Sequence, residues 1–358
     1  MQEMEIGLAY FVSASPGSAS NPIYLEQKRL DRALVNDTCY LMFPETILFH
    51  KVAIGSDHCP ILLDTYPNHN SMPKPFKFQS MWINHPTYND TIKTAWTSST
   101  TQHNSTHLPI SQQLSKTKRV LKIWNKSTFG NIFHQISNLK LDIAYIQSEP
   151  HSSMNSFLET RATNPLDSLL EYEEQLWKQK SRGIYVKEGD RNTKYFHIMT
   201  LRNRKFNKIE WLRKEDNSWL QTPRLIGEAF VGHFTKFLTE PSQVNLTQLR
   251  DLFPNLIPPD DMLHLRSPII EKEIKSITFS IGSRKAPEPD GFPALFYQSS
   301  WATVDKDICA MVSNFFENGH SLADINHTNV ALIPKIQNPE KCQDFRPISL
   351  CNITYKII

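Results

Sequence analysis

The sequence is short of cysteine and glycine, has no long apolar run and carries almost no net charge. Its five cysteines, Cys39, Cys59, Cys309, Cys342 and Cys351, include no C-x-x-C pair. That scatter excludes a disulfide framework or a C-x-x-C zinc site and points to reduced thiols in an intracellular protein, nuclear or cytoplasmic. No apolar stretch approaches the roughly 20 residues that a membrane-spanning helix requires, so no membrane partner is expected. Seven N-x-S/T sequons occur, for example at Asn104 and Asn245. With no signal peptide ahead of them, in a chain rich in Ser, Thr and Asn, they read as chance. Eleven Gly against 23 Pro favour rigid turns over flexible linkers. The net charge of +3 names no partner by itself.

What is present is a chain of 358 residues, 39% hydrophobic and 21% charged, long enough for two or three domains. Its charge is uneven. Residues 178–214 hold twelve Lys or Arg against Glu188, Asp190 and Glu210, a local net charge of +9 that leaves the rest of the chain at −6. The cations include Lys187, Arg191, Lys194, Arg202, Arg204, Lys205 and Lys208, and Tyr185, Tyr195, Phe196 and Trp211 interleave with them. Cations near phosphates release condensed counterions, and rings can stack on bases. A solvated basic helix face is the other reading of the same pattern.

Around this stretch the apolar spacing is helical. Leu108 to Gln147 reads as one helix, with Phe129, Ile132, Ile136, Leu139 and Ile143 on one face, and Leu166 to Trp177 as a second, antiparallel to it. The stripes read as core. A Pro-rich edge lies at Tyr66 to Phe78, followed by Phe76, Phe78, Trp82, Tyr88 and Trp96 as packing anchors. Ile209 to Leu220 reads as a hairpin about Asp216-Asn217, Pro223 to Leu238 as a helix, and Phe292 to Gly319 as one or two helices.

Near the N-terminus, RLDRALVN at 29–36 is strand-like, and Ile61, Leu62 and Leu63 read as a buried strand behind Ser56-Asp57-His58. An Asp and a His at a strand edge can serve a metal and a phosphate, with Asp31 fixing the imidazole tautomer. Polar loop surface is the simpler reading. At the other end, Leu332 to Lys335 and Phe345 to Leu350 read as a hairpin that holds Lys335 and Arg346 near each other at one end of the ribbon. Such a pair can grip a polyphosphate, or it can be two solvated charges guarding a sheet edge.

The order KAPEPDG, VALIPK, DFRPISLCN and YKI resembles the fingers of the reverse transcriptase of plant LINE-type (non-LTR) retrotransposons. RLDR with GSDHCPILLDT resembles the C-terminal end of the endonuclease/exonuclease/phosphatase fold that such elements carry upstream. VKEGDRNTKYFHIMTLRNRKFNKIEWL is similar to the stretch between the two. The resemblance implies an α+β chain: a sandwich remnant over 1–66, a helical connector over 67–258 with its basic patch at 178–214, and partial fingers over 259–358. It also implies that Asp57 assists a catalytic metal, His58 contacts the scissile phosphate and Asp31 supports His58. Lys335 and Arg346 would hold a nucleotide triphosphate, and Arg284 and Lys285 would touch template RNA.

The intact family uses Mg2+ and works on RNA and DNA. The Tyr-x-Asp-Asp carboxylates that hold polymerase ions do not occur before Ile358, and the metal-binding Glu of the nuclease would lie before Met1. An internal fragment with neither activity and no stably bound ion is therefore expected, with a noncatalytic RNA-binding module as the alternative and an authentic phosphohydrolase as a third. Glu288 stands where the family has Gly, so backbone strain and an anion facing RNA are expected there.

Overall fold

The computed structural model describes residues 4–5, 33–50, 61–66, 75–97, 109–182, 193–239, 258, 261–263, 267–283, 285, 288–319, 325–336 and 339–358. Among them helices dominate, and sheet is confined to two-stranded antiparallel pairs.

The main core begins in the segment PKPFKF. Phe76 and Phe78 alternate with Lys77 in extended backbone, so both rings turn inward while the lysine faces away. Phe78 meets Phe296 edge-on at 5.6 Å, and Phe292 lies 4.6 Å from Phe296. Tyr88, Ile92, Ala95 and Trp96 form the buried stripe of helix α2 (Tyr88–Thr97). Two of its rings find polar partners far along the chain: the Tyr88 hydroxyl lies 2.9 Å from Ser300 Oγ, and Trp96 Nε1 donates to Asp307 at 2.7 Å. Buried residues from Phe76 to Trp96 and from Ile110 to Ile132 thus share one core with Ile274, Phe292, Phe296, Ile308, Val312, Ile353 and Ile357, and that core draws on both sides of the position between 258 and 259 where the sequence suggests a boundary. Each large side chain buried there contributes about 2 kcal/mol from apolar transfer.

The expected single helix over 108–147 is two. Helix α3 (Ile110–Thr128) stops at Phe129, Gly130 takes φ 55, and α4 (Ile132–Ser148) restarts with Asn131 accepting from the His134 N–H at 3.2 Å. A left-handed Gly behind one helix and an Asn cap ahead of the next is the physical reason for the break. Helix α5 (Ser153–Ser181), capped by Ser152, runs back against α4 as the antiparallel partner.

The turn 288–291 is the junction of the core. Gly291 has φ 87, its N–H donates to the Glu288 carbonyl at 2.9 Å, and its own carbonyl accepts from Phe78 N–H at 2.9 Å. Asp290 Oδ1 accepts from Phe292 N–H at 2.8 Å, while Asn352 accepts from Asp290 N–H at 3.3 Å and donates to the Ile325 carbonyl at 3.1 Å. Positive φ at Gly291 agrees with turn chemistry at Pro289-Asp290-Gly291. Glu288 does not meet the expectation of strain. It is absent from the described non-glycine residues with positive φ, and its side chain, 2% exposed, turns inward to an ion pair with Lys356. Its charge therefore does not face outward.

A second, smaller core holds the hairpin of 328–351. Strands Leu212–Arg213 and Trp219–Leu220 pair about Asn217 (φ 64), and helix Pro223–Thr239 follows. Leu212, Leu220, Ile226 and Phe230 close over Phe345, with the Phe230 and Phe345 rings edge-on at 5.2 Å.

In the N-terminal part, Met4–Glu5 pairs with Leu34–Val35, and Ile47–His50 with Ile61–Asp64. The latter strand is not buried as expected: Ile61, Leu62 and Leu63 are 42%, 49% and 39% exposed. Among the described residues the strand has one partner; Leu48 of that partner is fully buried, opposite Leu63, while Ile61, Leu62 and Leu63 keep their solvent contact.

Candidate nucleic-acid interface

Two structures carry the cations that the sequence singles out. The first is the ribbon formed by Thr328–Pro334 and Phe345–Cys351. Its register pairs Ile333 with Arg346 and Pro334 with Phe345, and Lys335 N–H continues the ladder to the Asp344 carbonyl at 2.8 Å. Lys335 therefore sits two residues along from the partner of Arg346, a diagonal same-face relationship in which neighbours are about 7 Å apart. Both side chains are exposed, and Lys335 Nζ donates to the Gln343 carbonyl at 2.7 Å.

The acids of the adjoining loop are committed elsewhere. Asp344 Oδ2 accepts from the N–H groups of Glu340 and Lys341 at 3.0 and 2.8 Å, and Glu340 pairs with Arg213 at 3.1 Å. Among the described residues no group of three or more His, Cys, Asp or Glu is placed to hold a metal ion.

The second structure is helix α6 (Thr193–Phe206), the described part of the basic stretch. Much of its charge is met by acids or carbonyls distant in sequence. Lys194 pairs with Asp37 at 3.2 Å, Arg204 with Glu45 at 3.6 Å, and Lys205 Nζ donates to the Thr46 carbonyl at 3.0 Å. Lys208 pairs with Glu210 at 2.8 Å, and Arg202 is exposed. Burial lowers the Lys205 amine from the usual lysine range. Helix α6 thus docks helix α1 (Asp37–Met42), which Asn36 caps. Of the interleaved rings, Phe196 is core and Tyr195 is exposed.

Lys285 is exposed, its side chain folded over Gly282. Asp31, Asp57, His58, Lys187, Arg191, Tyr185 and Arg284 lie outside the described residues. Two side chains escape the sequence reading, Lys77 and His197. The signal for Lys77 is its place between two buried phenylalanines in an extended segment. His197 has no such signal, because its neighbour Trp177 comes from another helix.

The described chain is thus a helix-rich protein with one cation-bearing helix flank and one exposed cationic ribbon. Its similarity is to a transposon-encoded protein: it is 21% identical over 250 residues to the Transposon TX1 uncharacterized 149 kDa protein of Xenopus laevis, an alignment covering 67% of this chain and 19% of that one. The chain therefore spans about a fifth of the length of that relative. No family model matches. Among the described residues, no helix is long and apolar enough to cross a membrane.

Proposed function

We propose that this chain is the endonuclease tail, connector and fingers portion of a non-LTR retrotransposon protein whose intact form is an RNA-directed DNA polymerase with a DNA endonuclease, and that the chain alone performs neither reaction. The observation that carries the reading is the ribbon register, which sets Lys335 and Arg346 on one face at its loop end. An arginine binds phosphate oxygens by two parallel hydrogen bonds and a lysine acts as a point charge, so the pair suits a triphosphate. The ordered motifs KAPEPDG, VALIPK and DFRPISLCN and the similarity to a transposon-encoded protein support the same reading. Polymerisation further requires ions held by carboxylates at the attacking and leaving oxygens, and the described residues offer no such set.

The test is a titration of the purified chain with inorganic triphosphate, followed by NMR. Shifts confined to the Lys335 and Arg346 end of the ribbon, lost in Lys335→Ala/Arg346→Ala, are the expected result. Shifts elsewhere, or RNA-templated primer extension by the purified chain, overturn it. A second reading, a noncatalytic RNA-binding module, is favoured by a separate observation: cations from three segments gather at the end of α5.

A further inference from the structure

The charges at the end of α5 come together through three hydrogen bonds in which no charged side chain takes part. Gln179, on the last turn of α5, donates to the Phe78 carbonyl at 2.8 Å and accepts from Ser80 N–H at 2.9 Å, which fixes the segment carrying Lys77 against that turn. Asn203 of α6 donates to the Ser181 carbonyl at 3.2 Å, which holds the turn that carries Arg204 against the end of α5 that carries Arg182. Farther back on the same faces, the His197 ring stacks on Trp177 at 3.7 Å and 25°, and Lys180 Nζ lies 4.4 Å over Trp177. Three segments far apart in sequence therefore deliver Lys77, Arg182, His197 and Arg204 to one place.

Their mutual effect is repulsive. Burial first, and then Arg182 and Arg204, hold the Lys77 amine below the usual lysine range. Burial first, and then Lys180 and Arg204, lower the His197 imidazole. Among the described residues, Glu45 lies 3.6 Å from Arg204 with both side chains about half exposed, a pair of little worth in water. Cations in the last turn of a helix do favour its negative end, but Lys178 and Lys180 already occupy that turn. Lys77, His197 and Arg204 come from elsewhere and add charge beyond that. Arg182 also holds a left-handed backbone, φ 52, which a side chain adopts at a cost.

We infer that the junction of Lys77, Arg182 and Arg204 seats a phosphodiester group of single-stranded RNA. This deepens the RNA-binding reading and rests on it. The Trp177 ring is already engaged by His197 and Lys180, so the seat reads the backbone and not the bases. Phosphate contacts of this kind position a chain without reading its sequence. An anion seated there relieves the repulsion, and His197, facing Lys180 on α5 and Arg204 on its own helix, then takes up a proton more readily.

The experiment measures binding of a labelled oligouridylate by fluorescence anisotropy across a salt series, with inorganic phosphate as competitor. The wild-type chain is expected to bind with a steep salt dependence that millimolar phosphate barely affects. Lys77→Gln and Arg182→Gly should each lower affinity about tenfold at low salt and reduce the salt slope by about one. Lys272→Gln, on an exposed helix face, should leave both unchanged. Arg182→Gly relieves a left-handed backbone, so its thermal midpoint should hold or rise while binding falls, a combination that a purely structural arginine would not give. A measurement that needs no variant is the His197 titration by proton NMR, whose midpoint should rise when the oligonucleotide is added. Binding with an unchanged slope in both variants and an unmoved His197 overturns the seat while leaving RNA binding in place. No binding by the wild-type chain overturns both.

Discussion

Lys356, on the C-terminal helix Ile353–Ile357, reaches back across 68 residues of sequence to the carboxylate of Glu288, whose other oxygen is buried without a hydrogen-bond partner. Glu288 is 2% exposed and Lys356 35%. Taking the lysine away leaves a charge in the core with nothing to offset it, whereas neutralising both groups removes the problem along with the pair. Lys356→Met should therefore cost about 3 kcal/mol in urea unfolding, and Glu288→Gln/Lys356→Met should recover most of that loss. A double variant as unstable as the single one would show that the pair is not what holds the helix.

Gly291 permits a close approach that no other residue allows. A Cβ placed there would lie 2.4 Å from the Phe76 carbonyl oxygen and 2.7 Å from the Phe76 ring. Left-handed backbone adds a further penalty of about 1–2 kcal/mol for a side chain, and crowding in a packed core about 1–3 kcal/mol. Gly291→Ala should lower stability by about 3 kcal/mol and shift the Phe76 ring resonances, since it strikes the point where the aromatic segment meets the turn.

Asp290 makes stability depend on pH in a direction opposite to most carboxylates. Burial raises its carboxyl to about 6, with the Glu288 charge adding and the Phe292 N–H bond and Lys118 opposing. The folded state then holds its proton more tightly than the unfolded chain. The contribution is full below about pH 4, the unfolded value, and is lost as pH rises through about 6. Stability should fall by roughly 3 kcal/mol across that window from this group. Asp290→Asn keeps an oxygen for the Phe292 N–H and should flatten the slope in urea midpoints measured from pH 4 to 7.

The ribbon was legible because two β-prone runs flank a turn signal, and the structure extends them only to Thr328–Pro334 and Phe345–Cys351. The packing of Phe76, Phe78, Trp82, Tyr88 and Trp96 was legible too, since rings at such density are seldom left in water. Their partners were not. Tyr88 meets Ser300 and Trp96 meets Asp307 across more than two hundred residues, and helical or strand periodicity carries no information about such pairings. The break at Gly130 was present in the sequence as Gly130-Asn131, but the apolar spacing continues across it and outweighs the signal. Ile61 to Leu63 misled for the opposite reason: an apolar run marks a strand but not which of its side chains end up covered. In the basic stretch, composition gave the count of cations but not that Asp37 and Glu45 would be brought to them.

That last point separates two jobs within helix α6, and the separation can be measured. Lys205 is turned inward, its Nζ on the Thr46 carbonyl and 5.9 Å over the Tyr40 ring, while Arg202 is exposed and forms no ion pair among the described residues. Lys205→Met removes a charged donor from a partly buried carbonyl, a loss of about 1–2 kcal/mol. It should speed amide exchange over 37–46 without altering oligonucleotide affinity. Arg202→Glu should do the reverse, leaving exchange and the thermal midpoint unchanged while lowering affinity at low salt, because an exposed charge acts on phosphates through the field and not through packing. If Lys205→Met weakened RNA binding as strongly as Arg202→Glu, the docked N-terminal segment would itself have to be part of the nucleic-acid surface, and the division of labour along α6 would fail.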